Sequence, residues 1–133
     1  MSVEEIEKAL PNGLHDAIML RHVVDYEKRT LEFYINVWVG DLDSSVEVER
    51  ERYKEGVLKF EGLEYFVIEP PGEVKLLFEP FSFSAGNPEI DKIKPVVILP
   101  ESPEGTFKAF ICIYKLEAFM HICASKVEFK YGT

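Results

Sequence analysis

The chain has 133 residues, of which 47% are hydrophobic, and its formal net charge is −9 at pH 7. This length and apolar content predict a single folded domain over residues 1–133 with a core of its own. The acidic balance argues against binding to nucleic acid or to an anionic membrane, because both ligands need a basic protein surface. It is typical of plain solubility, and also of a surface that meets a basic protein partner.

The cellular setting is predicted from what the sequence contains near its N-terminus and in its cysteines. The N-terminus is acidic, whereas a secretory signal would be basic and then apolar. Two cysteines are too few for a disulfide framework, and no stretch has the roughly 20 apolar residues of a membrane-spanning helix. We therefore expect a cytoplasmic protein in a reducing compartment.

A short helix is predicted at the N-terminus. Ser2 and Glu5 have the spacing of a capping box, in which the serine hydroxyl accepts an early backbone N–H. Residues 11–13, Pro-Asn-Gly, are expected to end this helix, because such residues stop helices and favour turns.

The next two segments predict a long antiparallel hairpin with its turn at residues 27–29. Residues 14–26 form its first strand. The core face of that strand is expected to hold Leu14, Ile18, Leu20 and Val24. Residues 30–39 return with strict alternation of apolar and polar side chains, which indicates a strand packed on a core through one face. Its apolar face consists of Leu31, Phe33, Ile35, Val37 and Val39.

The middle of the chain predicts shorter strands separated by turns. We favour a strand over a helix for residues 46–53, where charges of both signs surround alternating valines. Strands are expected at 57–61 and 63–69, with a tight turn or bulge at Gly62 between them. Alternation over residues 74–78 predicts another strand.

The last part of the chain completes the prediction of the fold class. Residues 80–95 contain dispersed proline and glycine and are expected to be a loop, with one helical turn at 88–93. Residues 107–114 and 118–131 predict a second hairpin. We therefore predict a mostly β, antiparallel sandwich or open barrel of about seven or eight strands with a short N-terminal helix.

Histidine and aspartate supply the first candidates for chemistry. His15 and Asp16 open the first strand, either as a ligand or base at a pocket mouth or as a turn in which Asp16 accepts backbone N–H groups. Consecutive strand residues point to opposite faces, so these two side chains are not expected to act on one atom. His22 and His121 lie within apolar strand patterns, where histidine is either a hydrogen-bonded core residue or a base or metal ligand.

Known metal and cofactor motifs do not occur in the sequence, so neither a metal nor a cofactor is predicted. Asp41 and Asp43 resemble the start of a calcium loop without its later glycine, and we interpret them as a solvated turn. Cys112 and Cys123 lie in apolar strands, which favours buried, unreactive thiols. Depending on register, Cys112 is expected opposite Cys123 or opposite His121, and a neighbouring histidine could activate the thiol.

Two aromatic residues lie on the polar face of the strand at 30–39. If Tyr34 and Trp38 are exposed, they are candidates for binding a protein partner, because Trp and Tyr dominate interface energetics. If a second layer or a second copy of the chain covers them, their role is structural. The sequence leaves both interpretations open.

The first third of the chain resembles a loose group of small bacterial proteins. Leu14-His15-Asp16-Ala17 opens a strand that ends in Val24-Asp25-Tyr26, and Leu31-Glu32-Phe33 follows. Most members of this group are uncharacterised, and some are classed as immunity proteins beside toxin genes. The resemblance implies a β-rich, bacterial, cytoplasmic protein, and it brings no catalytic residues with it.

Two functional hypotheses follow. The first is a non-enzymatic protein-binding module, immunity- or inhibitor-like, whose acidic surface recognises a basic partner with Tyr34 and Trp38 as anchors. The second is a small-ligand-binding or enzymatic β domain that uses His15, Asp16 or His121 in a pocket. A pocket that collects at least two of these three residues would favour the second hypothesis, and an acidic or aromatic patch the first. Either is compatible with a homo-oligomer.

Overall fold

Strands dominate the computed structural model, which describes residues 2–70, 81–86, 97–113 and 118–132. In chain order the elements are α1 (Val3–Ala9), β1 (Ala17–Asp25), β2 (Thr30–Trp38), α2 (Glu47–Arg50), β3 (Tyr53–Glu61), β4 (Tyr65–Ile68), β5 (Phe81–Gly86), β6 (Phe107–Ile113), β7 (Ala118–Ala124) and β8 (Lys126–Tyr131). The mostly β fold with a short N-terminal helix, predicted from the sequence, is confirmed.

Each strand in the described ranges pairs antiparallel with its neighbours, in the order β4-β7-β6-β5-β1-β2-β3-β8. The order divides into two four-stranded halves, β8-β3-β2-β1 and β5-β6-β7-β4, which the pairing of β1 with β5 joins. The arrangement is open because β4 and β8 are the two edge strands of this order. It is an antiparallel sandwich because the two halves share one hydrophobic core.

One hydrophobic cluster packs between the two halves. The ring centroid of Phe33 in β2 lies 6.0 Å from that of Phe66 in β4, and the ring of Phe60 in β3 lies 6.3 Å from that of Phe107 in β6. The predicted apolar face of β2 is confirmed, and its fully buried side chains are Leu31, Phe33, Ile35 and Val37. Burying one such side chain stabilises the fold by about 1.5–3 kcal/mol.

Helix α1 contacts β5 and β8, one strand from each half. The backbone N–H of Glu5 donates to the hydroxyl oxygen of Ser2 at 3.1 Å, which confirms the predicted N-terminal cap. Val3 and Ile6 point into the core and are buried. No helix among the residues described here has the length and apolar character needed to cross a lipid bilayer.

A bulge in β1 changes which side chains reach the core. The register against β2 shifts between Met19 and Arg21, so the side-chain alternation reverses at Leu20. Before the bulge Ala17 and Met19 are buried, and after it His22 lies opposite the buried Phe33. The expectation that Ile18 and Leu20 share the core face with Leu14 and Val24 is therefore wrong for Ile18 and Leu20.

Two strands turn together where one half of the sandwich meets the other. The segment from β3 to β4 bends at Gly62, and the segment from β7 to β8 bends at Ser125. Across this bend the N–H of Ser125 donates to the carbonyl of Glu61 at 3.0 Å, and the N–H of Glu64 donates to the carbonyl of Cys123 at 2.7 Å. Gly62 has φ +64°, a conformation that glycine adopts without strain, so the predicted break at this residue is confirmed.

Residues 46–53 do not form the strand that the sequence favours. They contain the one-turn helix α2 and only the first residue of β3. The pairing of β2 with β3 ends at Trp38 opposite Tyr53, and residues 39–52 close the connection with hydrogen bonds of their own. The N–H of Val39 donates to the backbone carbonyl oxygen of Arg52, and the N–H of Asp41 donates to the backbone carbonyl oxygen of Glu49. The alternating valines, Val46 and Val48, are exposed.

The prediction of a loop over residues 80–95 is wrong for its first part, because residues 81–86 form β5. This strand is stabilised by ladders to β1 on one side and β6 on the other, so tertiary pairing overrides the weak local signal. The predicted strand at 74–78 and the helical turn at 88–93 lie outside the described residues.

Gly62 and Gly105 form a matched pair for testing the bend. Both have positive φ, but a Cβ added at Gly62 would lie 1.9 Å from Ser125 Oγ, whereas one at Gly105 would meet nothing within 4 Å. Gly105→Ala is expected to lower the free energy of unfolding by about 1 kcal/mol through backbone strain alone. Gly62→Ala is expected to cost about 1–3 kcal/mol more, because the added Cβ would displace the Ser125 hydroxyl from its hydrogen bond to the carbonyl oxygen of Glu61 and would crowd Ser125 Cβ. If urea unfolding shows that both variants lose the same free energy of unfolding, this would contradict a close approach of the chains at Gly62.

Candidate functional site

A groove lies where β2 and β3 reach the connection formed by residues 39–52. Its volume is about 550 Å³. We call it the Trp38 groove, and its lining residues are Asp16, Trp38, Leu42, Arg50, Glu51 and Tyr53. It combines two aromatic rings, one exposed aliphatic side chain, two carboxylates and one guanidinium, which is a surface suited to binding an amphipathic side chain of another molecule.

The indole of Trp38 is held in place by the chain around it. Its Nε1–H donates to the carbonyl oxygen of Arg50 at 2.7 Å. A Cβ added at Gly40 would lie 1.9 Å from the same carbonyl oxygen and 2.6 Å from Nε1, so only glycine allows this approach. The side-chain amide of Asn12 donates to the carbonyl oxygens of Trp38 and Gly40 at 3.2 and 2.9 Å. Trp38 is therefore half-buried and ordered while it also lines the groove.

Asp16 lines the groove from the turn that precedes β1. It precedes β1 and has φ +58°, which an aspartate tolerates better than most residues do. His15 Nε2 lies 3.3 Å from Asp16 Oδ2, and both side chains are about half exposed. The expectation that strand geometry would separate the two side chains is wrong, because these residues lie in a turn rather than in the strand. His15 itself does not line the groove.

Tyr34 lies elsewhere on the same outer face. Its ring is covered by the guanidinium of Arg21, whose carbon lies 3.9 Å from the ring centroid, and it neighbours Val57 of β3. The structure therefore brings two of the four predicted binding residues, Trp38 and Asp16, into one groove and places His15 beside it. Sequence analysis missed Leu42 and Tyr53, although a leucine among acidic residues of a loop was a usable signal.

The connection next to the groove combines negative charge with exposed apolar side chains. Leu42 is 66% exposed and Val48 is 79% exposed. The acidic residues of the same connection are Asp41, Asp43, Glu47, Glu49 and Glu51. The N–H of Asp43 donates to a carboxylate oxygen of Asp41, and the Ser44 hydroxyl donates to Glu49, so hydrogen bonds organise the turn. In the described ranges no three His, Cys, Asp or Glu side chains are placed to hold a metal ion.

His121 lies on the face of β7 that points away from the shared core, and its side chain is nevertheless almost fully buried. Its Nε2 is 2.8 Å from a carboxylate oxygen of Glu69, and the two side chains are only 4% and 3% exposed. The other oxygen of Glu69 accepts the backbone N–H of Phe119, whose ring stacks on the imidazole with centroids 6.0 Å apart. Sequence analysis missed Glu69, which is 52 residues away and carries no motif. His121 does not line the Trp38 groove with Asp16.

Both cysteines are free thiols, Cys112 in β6 and Cys123 in β7. Cys123 is fully buried, and its sulfur lies 3.4 Å from the hydroxyl of Thr106. Burial raises the pKa of the Cys112 thiol, and the negative charge of Glu69 raises it further. The register places Cys112 opposite Phe119 and Cys123 opposite Lys108, so the expected pairing of Cys112 with His121 or Cys123 is wrong.

His22 is the one histidine that reaches the inner face of the first half. Its ring lies 5.9 Å from that of Phe33 and 5.3 Å from that of Phe66, centroid to centroid. Burial lowers the pKa of His22, because the charged imidazolium is poorly solvated there. This geometry fits a neutral core residue packed on two phenylalanines.

Comparison of this chain with protein-family models, with curated proteins and with solved structures finds no match.

The buried pair and an exposed ion pair near β4 allow a controlled test of the interior. Glu69→Ala would leave the imidazole of His121 and the N–H of Phe119 without this carboxylate, and we expect a loss of about 3 kcal/mol in the free energy of unfolding. Glu64→Ala removes the exposed partner of Arg29, 2.6 Å away, and should cost less than about 1 kcal/mol. Urea unfolding of both variants measures the difference, and similar small losses would contradict a structural role for the buried pair.

Proposed function

We propose that the protein is a non-enzymatic binding module that recognises a basic protein partner through the Trp38 groove and the acidic connection at residues 39–52. The observation that carries this proposal is the exposure of Leu42 and Val48 on a connection with five acidic residues. Exposed apolar side chains within a polar rim are typical of protein interaction sites, because binding removes them from water.

Charge and shape contribute different parts of the recognition. The net charge of −9 speeds encounter with a basic partner and makes the association rate depend on salt. The short-range energy comes from a few ordered side chains, and the fixed indole of Trp38 is suited to this role because little conformational entropy is lost on binding.

An immunity- or inhibitor-like role in a bacterial cytoplasm belongs to the same proposal. It is supported by the resemblance of the segment from Leu14 to Phe33 to small bacterial proteins, some of which are classed as immunity proteins. A module of this kind blocks its partner by binding alone. It needs an accessible acidic surface and no catalytic group.

The buried pair of His121 and Glu69 favours a second candidate, an enzymatic β domain. A carboxylate that accepts a hydrogen bond from an imidazole orients catalytic histidines in many enzymes. Here both side chains are almost fully buried, and Cys112, which Glu69 influences electrostatically, has a raised pKa. These features fit a structural pair better than a nucleophile and its base, so binding remains the favoured function.

The binding function is tested by capture of a partner from cells that encode the protein. Immobilised wild type is compared with the double variant Leu42→Ser, Val48→Ser, and with the control Leu20→Ser, Val23→Ser, which makes the same chemical change on the outer face of β1. We expect wild type and control to capture the same basic protein, more of it at about 50 than at about 300 mM salt. The first variant should capture at least about tenfold less. Equal capture by all three proteins, or capture indifferent to salt, would contradict the proposal.

A further inference from the structure

We propose that the Trp38 groove receives a single arginine side chain of the partner, so that a guanidinium group is the anchor of recognition. This inference rests on the proposed function and goes beyond it by naming the chemical group that occupies the groove. The groove offers that group two carboxylates, two aromatic rings and an aliphatic contact, contributed by five of the lining residues: Asp16, Glu51, Trp38, Tyr53 and Leu42.

The hydrogen bonds that the lining residues already make determine which of their groups can bind an occupant of the groove. The indole Nε1–H of Trp38 is used by the carbonyl of Arg50, so an occupant meets the ring rather than its donor. One guanidinium nitrogen of Arg50 donates to the carbonyl of Ser44 at 3.1 Å, which holds this cation towards the connection. Asp16 Oδ2 lies 3.3 Å from His15 Nε2, so this carboxylate already has one imidazole neighbour. The carboxylates of Asp16 and Glu51 are acceptors, and a cationic donor is the complementary partner for them.

The carboxylates and the rings together favour a planar cation. A guanidinium stacks on aromatic faces and donates through a rigid fork that matches a carboxylate, whereas an ammonium is a compact and strongly hydrated charge. This chain already shows the same contact on its outer face, where the guanidinium carbon of Arg21 lies 3.9 Å from the ring centroid of Tyr34. The methylene groups of an incoming arginine would contact Leu42, which is otherwise exposed to water.

Trp38 allows a direct measurement, because it is the single tryptophan of the chain and lines the groove. The probe is the tripeptide acetyl-Gly-Arg-Gly-amide, titrated while tryptophan fluorescence is recorded. The same tripeptide with citrulline, which keeps the shape and removes the charge, is the first control. We expect the arginine peptide to bind about tenfold more tightly than the citrulline peptide, and about threefold more tightly than a lysine peptide.

Variants then assign the binding to the groove. Asp16→Asn removes one carboxylate and suits the positive φ of this position, because asparagine tolerates that conformation. It should weaken binding of the arginine peptide about fivefold, and Glu51→Gln should do the same. Glu128→Gln makes the same change in net charge on the exposed face of β8 and should leave the affinity unchanged.

The outcomes separate this inference from the proposed function. Equal affinity for the arginine and citrulline peptides, or equal effects of Asp16→Asn and Glu128→Gln, would overturn the assignment of a guanidinium to the groove. If partner capture still depends on Leu42 and Val48 in that case, the binding function stands with a different occupant. If the arginine preference is absent and partner capture does not depend on Leu42 and Val48, the binding function is overturned as well.

Discussion

Two strands bend together at Gly62 and Ser125, and hydrogen bonds on either side of this bend keep them paired as they pass from one half of the sandwich to the other. A Cβ at position 62 would overlap the hydroxyl of Ser125 and lie 3.0 Å from its Cβ, so the two chains approach closely at this glycine. Because β3 and β8 continue directly into β4 and β7 across the bend, the inner faces of both halves meet in one core, in which Phe33 contacts Phe66.

The two halves differ in the polar groups that lie on the side of the sheet away from the shared core. The outer face of the half that contains β1, β2 and β3 bears the Trp38 groove at one end, next to an acidic and partly apolar connection. The outer face of β7 bears the buried pair of His121 and Glu69. The groove is accessible and chemically mixed, whereas the carboxylate of Glu69, just after β4, contacts Phe119 and His121 of β7 inside the protein.

Side-chain periodicity predicted the parts of the fold in which one face of a strand is buried and the alternation is regular. Strand β2 was recognisable for this reason, whereas the helix cap at Ser2 and the break at Gly62 were recognisable from single residue types with strong local preferences. The bulge at Leu20 was not, because an inserted residue reverses the pattern without leaving a distinctive residue type. Strand β5 depends on partners distant in sequence, and the Trp38 groove joins Asp16 to residues more than 20 positions away, so neither could be read from local pattern.

The claim that the bend joins the halves is tested most directly by native-state hydrogen exchange of the backbone N–H groups of Ser125 and Glu64, which donate across it. If the bend opens only when the whole molecule unfolds, these two groups should exchange as slowly as those in the cores of β3 and β7, with an opening free energy close to that of global unfolding. Exchange of both groups at rates typical of exposed loops, while the strand cores stay protected, would contradict the account.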